Sequence, residues 1–258
     1  MSGASLPEVA LGPGSLAVAD LHLDATDAAA VEPFVAWLDA LGSPPALAVL
    51  GDLFDVWVGP AQAELAGARA ALDALARLWE RGTRLLVVPG NRDFLLDASF
   101  EAECGARLCP EGFVARVERP GAEPLRVLCV HGDTLCTKDR GYQRLRRVLR
   151  STPVRTLAPR LPRALGLAVA RRLRRASARA VRAKAPEEKS IQRDAALDAA
   201  RAQRADVVLC GHAHAHRDET LGGGTRLVVL DAFGGPRDVL VFGGVAGVAL
   251  RASSERAP

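Results

Sequence analysis

Five short polar motifs contain the side chains of this sequence that are best suited to chemistry. Each motif follows an apolar run and combines carboxylate, imidazole or amide groups. The motifs are Asp20-Leu-His22, Gly51-Asp52, Gly90-Asn-Arg-Asp93, His131-Gly-Asp133 and Gly211-His-Ala-His214, and they hold four of the five histidines in the chain. Mixed nitrogen and oxygen donors suit Mn, Fe or Zn better than Ca, so the motifs predict a metal site.

The motifs offer enough donors for two metal ions. Two divalent ions held roughly 3.5–4 Å apart can bind one phosphate group between them and promote its displacement by water. Asp52 is the natural bridging ligand. Asp20 and His22 would reach one ion. Asn91 and His131 would reach the other, and the histidines of the last motif would divide between the two. The predicted ligands are the donor side chains of these motifs: Asp20, His22, Asp52, Asn91, His131, His212 and His214.

An alternation of strands and helices must position these side chains. Apolar runs predict strands that end directly before the five motifs, at residues 16–19, 47–50, 85–88, 125–130 and 207–210. Helical spacing of apolar residues predicts helices around residues 31–41, 63–81 and 191–202. Further strands are expected at residues 113–117, 226–230, 238–242 and 245–250. The pattern indicates an α/β protein, a class that places its sites at the carboxyl ends of strands.

Basic residues are concentrated in one part of the chain. Residues 141–186 contain 13 Arg and one Lys but no Asp or Glu, which leaves 20 basic against 30 acidic residues elsewhere. Leucines and valines at helical spacing predict amphipathic helices here, interrupted by Pro153, Pro159 and Pro162. Such a segment could bind phosphate, nucleic acid or an anionic membrane surface, or it could form a solvated helical face.

The amino terminus and the cysteines bear on the cellular compartment. The first residues lack a basic segment followed by an apolar one, so a secretory signal is not expected. No stretch approaches the roughly 20 apolar residues that a membrane span needs. The five cysteines are scattered and form no CxxC pair. Buried, reduced thiols in the cytoplasm are therefore expected, without a disulfide framework.

The order of the motifs resembles that of the calcineurin-like metallophosphoesterase superfamily. This resemblance implies a four-layer α-β-β-α sandwich with a helical cap insertion. The metallophosphoesterase core would span residues 1–140 and 187–258, and the basic cap would span residues 141–186. The sequence departs from the superfamily at Arg92, where a histidine is usual. An arginine cannot assist an alkoxide leaving group as an acid, but it can hold a second phosphate through its planar donors.

Three strings narrow the resemblance to the UDP-2,3-diacylglucosamine hydrolases of lipid A synthesis. They are GDLF from Gly51, GNRDFL from Gly90 and HGDTLCT from His131, and Gly141-Tyr-Gln143 also fits. The resemblance covers residues 16 to about 230. It implies Mn-dependent cleavage of the pyrophosphate in UDP-2,3-diacylglucosamine, with water attacking the α-phosphorus. The products would be UMP and 2,3-diacylglucosamine 1-phosphate. The cap would cover the acyl chains and hold a cytoplasmic enzyme at the anionic surface of the inner membrane.

The resemblance also assigns roles to individual residues. The residues expected to act in the reaction are Asp52, Asn91, Arg92 and His131. The expected substrate contacts are Asn91, Arg92, Asp139, Ser177, Lys184 and His212, of which Ser177 and Lys184 follow from an ungapped alignment of the insertion. Two departures concern the substrate. An expected asparagine contact falls on Val181, and residues 60–62 replace the acidic run that is usual there.

Two other functions remain possible at this stage. One is a different reaction at the same metals: a phosphodiesterase, a nucleotide hydrolase or a protein phosphatase. The other is a non-catalytic nucleic-acid-binding module that uses the basic insertion. The second would leave the whole ligand set without a use, and no aromatic residues interleave the arginines as stacking platforms. We therefore expect no nucleic acid among the partners.

Overall fold

Two six-stranded sheets form the centre of the protein. The computed structural model describes residues 5–160, 162, 164–169, 171–172, 175 and 186–255. In spatial order, the first sheet consists of β1 (Glu8–Leu11), β6 (Phe113–Arg119), β7 (Ala122–Cys129), β8 (Val207–Cys210), β10 (Arg226–Val229) and β9 (Arg217–Thr220). The second consists of β12 (Val248–Arg251), β11 (Val239–Phe242), β2 (Leu16–Val18), β3 (Ala46–Leu50), β4 (Arg84–Val88) and β5 (Arg107–Leu108).

Helices cover the outer faces of both sheets. In chain order they are α1 (Ala28–Ala40), α2 (Ala66–Glu80), α3 (Ala98–Cys104), α4 (Arg140–Leu149), α5 (Thr152–Leu157) and α6 (Arg193–Gln203). Single helical turns lie at Pro60–Glu64, Asp133–Leu135, Ala158–Arg160, Pro186–Lys189 and Gly222–Gly224. Residues 164–169 are also helical.

Side-chain alternation along the strands produces three apolar layers. In β3, Leu47 and Val49 face α1 and α2, whereas Ala48 and Leu50 face the other sheet. Alternate residues of β8 pack on α6. Because a strand exposes successive residues to opposite faces, one apolar run can supply two cores at once. The result is the predicted four-layer α-β-β-α sandwich, which is confirmed.

Strand direction gathers the polar motifs at one edge. The neighbours β2, β3 and β4 run parallel in one sheet, and β7 and β8 run parallel in the other. All five predicted motif-bearing strands are present, with bounds within a few residues of the sequence prediction. Each ends one or two residues before its motif, so the loops that carry the motifs follow strand carboxyl ends.

The described helical segments of the basic insertion include α4, α5 and residues 164–169. Pro153 lies in the first turn of α5 rather than inside a helix, where it would remove a hydrogen bond. Ser177, Lys184 and Val181 lie outside the described residues. The domain boundaries of the sequence analysis stay a prediction.

The cysteines and the longer helices agree with the sequence-based expectations. All five cysteines are free thiols and buried, as expected from the sequence. Across the part of the chain that the structure describes, no helix combines the length and apolar character that crossing a membrane requires.

Candidate metal centre

Three of the predicted ligands form one group, although they come from both sheets. Asp20 and His22 follow β2, and His214 follows β8. Their donor atoms all lie within 4.8 Å of one another. Nε2 of His214 is 2.9 Å from Nε2 of His22 and 3.5 Å from Oδ1 of Asp20. An ion of ordinary ligand distances can be held by these three side chains.

A second group adjoins the first and shares Asp20 with it. Donor atoms of Asp20, Asp52 and His131 also lie within 4.8 Å of one another. Nε2 of His131 is 3.0 Å from Oδ1 of Asn91 and 3.2 Å from Nδ1 of His212. All seven predicted ligands are therefore brought together by the fold.

Asp52, a member of the second group, also directs one carboxylate oxygen toward the first. Its Oδ1 is 3.8 Å from Nε2 of His131, and its Oδ2 is 3.9 Å from Nδ1 of His22. Both Asp52 and Asp20 are fully buried. A carboxylate in this position can contribute one oxygen to each of two neighbouring ions.

The loops that carry the ligands adopt backbone conformations that are uncommon for residues with side chains. Among the described residues, six that are not glycine have positive φ, and five of these are predicted ligands: Asp20, His22, Asp52, His212 and His214. Such conformations cost of order 1–3 kcal/mol each and cluster at functional sites. Neighbouring glycines are needed for space as well. A Cβ atom on Gly90 would collide with the Asp52 carboxylate, and one on Gly211 with that of Asp20.

Within the described part of the chain, some oxygen and nitrogen atoms of the predicted ligands have lone pairs without a hydrogen-bond partner, which favours binding of a cation. Oδ1 of Asp20 and Nδ1 of His22 are buried without a hydrogen-bond partner among the described residues. Nδ1 of His131 lies 3.0 Å from the Leu50 carbonyl, so it donates there and leaves a lone pair on Nε2. That lone pair faces an amide oxygen, Oδ1 of Asn91. Convergent lone pairs repel one another unless a positive ion lies between them, so the donor set fits metal binding.

Comparison with known proteins assigns the family. The model for calcineurin-like phosphoesterases matches residues 15–216. A UDP-2,3-diacylglucosamine hydrolase of Sodalis glossinidius is 37% identical over 225 residues, which are 85% of this chain and 90% of the relative. One of Pseudomonas paraeruginosa is 35% identical over 219 residues, 83% of this chain and 89% of the relative.

The chain belongs to the UDP-2,3-diacylglucosamine hydrolase family of calcineurin-like phosphoesterases. It is a hydrolase, as the sequence predicted. Among solved structures, a mutant of Vps29 from Entamoeba histolytica aligns with a TM-score of 0.41 and 15% identity, covering 88% of this chain and 84% of that one.

Two imidazoles of this phosphoesterase are held neutral, as metal ligands must be, whereas at His131 burial is outweighed by the neighbouring carboxylates, which raise its pKa. Burial lowers the pKa of His22 to about 3, with further repulsion from Arg92 and His214. Burial likewise lowers the pKa of His212 to about 4, with repulsion from His131. Both rings therefore keep a lone pair available at physiological pH.

The carboxylates of the site respond to two opposing effects. Burial raises the pKa of Asp52 to about 7, although the nearby His131 partly opposes the rise. For Asp20, burial alone would raise the pKa, but the close approach of His214 and of the other nearby imidazoles lowers it below the usual value. Asp52 is thus the carboxylate whose ionised form depends most on positive charge nearby.

Arg92 borders the phosphoesterase site without being a donor to a metal. Its backbone N–H donates to Oδ1 of Asp52 at 2.9 Å, and its Nε lies 3.4 Å from Oδ2. Its Nη1 lies 3.5 Å from Oδ1 of Asp55, which is also 3.7 Å from Nδ1 of His22. The side chain is 32% exposed, so part of its guanidinium faces solvent beside the ligands.

Two buried aspartates, to which the motifs alone assigned no role, organise the ligand loops. Asp93 accepts hydrogen bonds from Leu53 N at 2.7 Å and from Gly90 N at 2.7 Å, which joins two ligand loops. Asp133 accepts from the Tyr142 hydroxyl at 2.6 Å. The signal was present, because both residues are the last aspartates of the quoted motifs.

Asp139 and His216 lie close to the ligand loops but make structural contacts. Asp139 is buried at the start of α4 and accepts from Tyr142 N at 2.9 Å. The ring of His216, the one histidine outside the motifs, is half-buried and lies 3.0 Å from the Val229 carbonyl. It is a structural residue of the loop that follows the last ligands.

Proposed function

We propose that this chain hydrolyses the pyrophosphate bond of UDP-2,3-diacylglucosamine. Water would add to the α-phosphorus, the bond to the bridging oxygen would break, and UMP and 2,3-diacylglucosamine 1-phosphate would leave. The observation that carries the proposal is the joint presence of the seven-donor group and Arg92. The names of the relatives at 37% and 35% identity support the choice of substrate.

The proposal assigns the seven donors to two divalent ions, most simply Mn. Asp20, His22 and His214 would hold one ion. Asn91, His131 and His212 would hold the other, with Asp52 between them. Ions bound there would neutralise phosphate charge and make water a better nucleophile at neutral pH. Mixed imidazole, carboxylate and amide donors suit Mn.

The remaining roles belong to side chains at the border of the group. Arg92 would move part of its guanidinium from Asp55 to the second phosphate, for which its planar donors are well shaped. The leaving group is a phosphate that needs little protonation, so an arginine suffices where related enzymes use a histidine. Asp139, Ser177, Lys184 and His212 would make the other substrate contacts.

The insertion would bind the lipid part of the substrate. In this proposal residues 1–140 and 187–258 form the core, and residues 141–186 form the cap. Its described side chains expose apolar and cationic groups together. The exposed apolar ones are Leu145 (41%), Val148 (60%), Leu157 (62%), Leu165 (50%) and Val169 (44%). Apolar side chains among arginines suit acyl chains and the anionic surface of an inner membrane, where the protein would associate peripherally.

A substrate panel tests the proposal. The Mn-loaded protein is given UDP-2,3-diacylglucosamine, unacylated UDP-N-acetylglucosamine, bis-p-nitrophenyl phosphate and p-nitrophenyl phosphate, and UMP and nitrophenol are measured. We expect UMP from the acylated compound alone. Comparable turnover of the simple diester would instead favour a general phosphodiesterase on the same metals.

A further inference from the structure

Helix α4 contacts both loops that carry ligands of the second ion. Near its end, Arg150 donates from Nη2 to the carbonyls of Gly90 at 3.0 Å and Pro89 at 3.1 Å. One turn earlier, Nε of Arg146 donates to Oδ2 of Asp133 at 2.8 Å. Gly90 directly precedes Asn91, and Asp133 lies two residues beyond His131.

Arg150 joins the backbone that precedes Asn91 to a second segment of the chain. Its Nη1 also donates to the Pro110 carbonyl at 3.2 Å, so one guanidinium serves three carbonyl groups. The side chain is only 15% exposed. The Gly90 carbonyl belongs to the peptide group that joins Gly90 to Asn91. Restraining this oxygen therefore restrains the backbone from which the Asn91 side chain, the predicted ligand, extends. A planar group with fixed donors restrains a peptide far better than a flexible ammonium does.

Arg146 fixes the other loop through a buried carboxylate. Asp133 receives the guanidinium, the Tyr142 hydroxyl and, at its backbone oxygen, Nε2 of Gln143 at 2.7 Å. A cavity of only about 10 Å³ remains between the helix and the two loops. That is room for at most a single water, so α4 packs closely against both loops.

We infer that Arg150 is a positioning residue for Asn91, and that α4 sets the spacing between Asn91 and His131. The inference rests on the proposed function, since it takes these two residues as ligands of one ion. Its consequence is that the insertion is coupled to the metal site. The first ion depends on Asp20, His22 and His214, which α4 does not contact through either arginine, so the two ions should respond differently.

The test compares metal binding by three variants. Arg150→Met removes all three carbonyl contacts, and Arg150→Lys keeps the charge but not the planar fork. Arg147→Met is the matched control, because Arg147 is exposed on the same helix and, among the described residues, its side chain bonds to the Gln143 carbonyl within that helix. Mn binding is followed by calorimetry and electron paramagnetic resonance, and thermal unfolding is measured without metal.

We expect Arg150→Met to weaken one of two Mn sites by about tenfold or more, as loss of a ligand-orienting partner typically does. Arg150→Lys should fall between it and the wild type, and Arg147→Met should match the wild type. If Arg150→Met does not fold, Arg150→Lys decides. Unchanged binding, or equal weakening of both sites together with a lower melting temperature, would overturn the inference. A wild type that binds fewer than two ions would instead contradict the proposed metal site, and failure to cleave the lipid substrate would touch only the proposed reaction.

Discussion

The Nε2 atoms of His22 and His214 lie 2.9 Å apart, although 192 residues separate them in the chain. His22 follows a strand of one sheet, and His214 follows a strand of the other. Their rings are tilted by 54°, with centroids 4.7 Å apart. This contact joins the carboxyl edges of the two sheets, and the rest of the donor group is arranged around it.

Replacing the Asp52 carboxylate, which lies between His131 and His22, should abolish activity while leaving the fold intact. Asp52→Asn keeps the shape and an oxygen that can accept from Arg92 N, but removes the charge between the two groups. Asp52→Ala removes both. We expect activity losses beyond the roughly 10- to 100-fold that is typical when only the partner of a ligand is lost.

Two measurements check this prediction. Turnover is compared with that of Asp218→Asn. This control removes a charge that pairs with Arg226 and that is distant in sequence from Asp52. Circular dichroism confirms that each variant is folded. Near-wild-type turnover by Asp52→Ala would show that this carboxylate is no ligand.

Two glycines with nearly the same backbone conformation should tolerate alanine differently. Gly51 has φ of +92° and Gly82 has φ of +94°. A Cβ at Gly82 would meet no described residue within 4 Å, whereas one at Gly51 would overlap the imidazole of His131. Gly82→Ala should therefore cost only the backbone strain, about 1 kcal/mol of unfolding free energy. Gly51→Ala should cost more and weaken Mn binding, because His131 must move. Equal effects of the two substitutions on Mn affinity would refute the close approach.

Metal affinity should decrease as the pH falls below neutrality. Because burial raises the pKa of Asp52 to about 7, this carboxyl binds a proton in the range where the imidazoles of His22 and His212 are still neutral. A proton and a metal ion compete for it, and the neighbouring carboxylates also raise the pKa of His131 against the effect of burial. Mn affinity should therefore fall by at least about tenfold per pH unit below that value.

In the metal-free protein, by contrast, the free energy of unfolding should increase as the pH falls. A raised pKa means that the folded state binds this proton more tightly than the unfolded chain. The stabilisation is complete below the unfolded pKa and is lost as the pH rises through about 7. Calorimetric titrations from pH 5.5 to 8 test both effects, with Asp52→Asn as the control that should lose both trends. A pH-independent wild-type affinity would contradict the assignment.

The exposed apolar residues of the insertion should matter for lipid and not for the fold. Val148 and Leu157 are 60% and 62% exposed, so the double change to serine should leave the melting temperature unchanged. Val245→Ser is the matched control, because Val245 is 79% exposed and lies outside the insertion. We expect a higher KM for acylated substrate and weaker liposome binding from the double variant alone.

The positive charge of the insertion should strengthen binding to anionic membrane surfaces. Changing Arg171, Arg172 and Arg175 together to glutamine removes three cations from the insertion. Binding to vesicles containing anionic lipid should weaken by about 1 kcal/mol per removed cation at most, and binding to neutral vesicles should not change. If KM and vesicle binding both stayed at wild-type values, the proposed role of the cap would be wrong.

The parts of the fold that follow from local pattern could be predicted from the sequence. Continuous apolar runs such as 47–50 and 207–210 predicted the inner strands, because parallel strands are buried on both faces. The edge strand β9 has the sequence Arg-Asp-Glu-Thr from Arg217. It contains no apolar alternation, so the sequence pattern did not predict a strand there. β1 and α3 are short, and their formation depends on neighbours distant in the chain.

The site, like the fold, has features that the sequence predicted and features that it did not. Ligand types and their order were visible in the motifs, and the structure brings all seven side chains together. The supporting contacts were not visible, because they join residues that are distant in the chain, such as Asp93 with Leu53 and Arg150 with Gly90. Such partners become apparent only when the topology is known.

The most direct test of the account is hydrolysis of UDP-2,3-diacylglucosamine in water enriched in ¹⁸O by the Mn-loaded protein. The account predicts release of UMP that carries one ¹⁸O on its phosphate, and unlabelled 2,3-diacylglucosamine 1-phosphate, with neither product formed by Asp52→Ala. Absence of UMP, or label found only on the lipid phosphate, would contradict it.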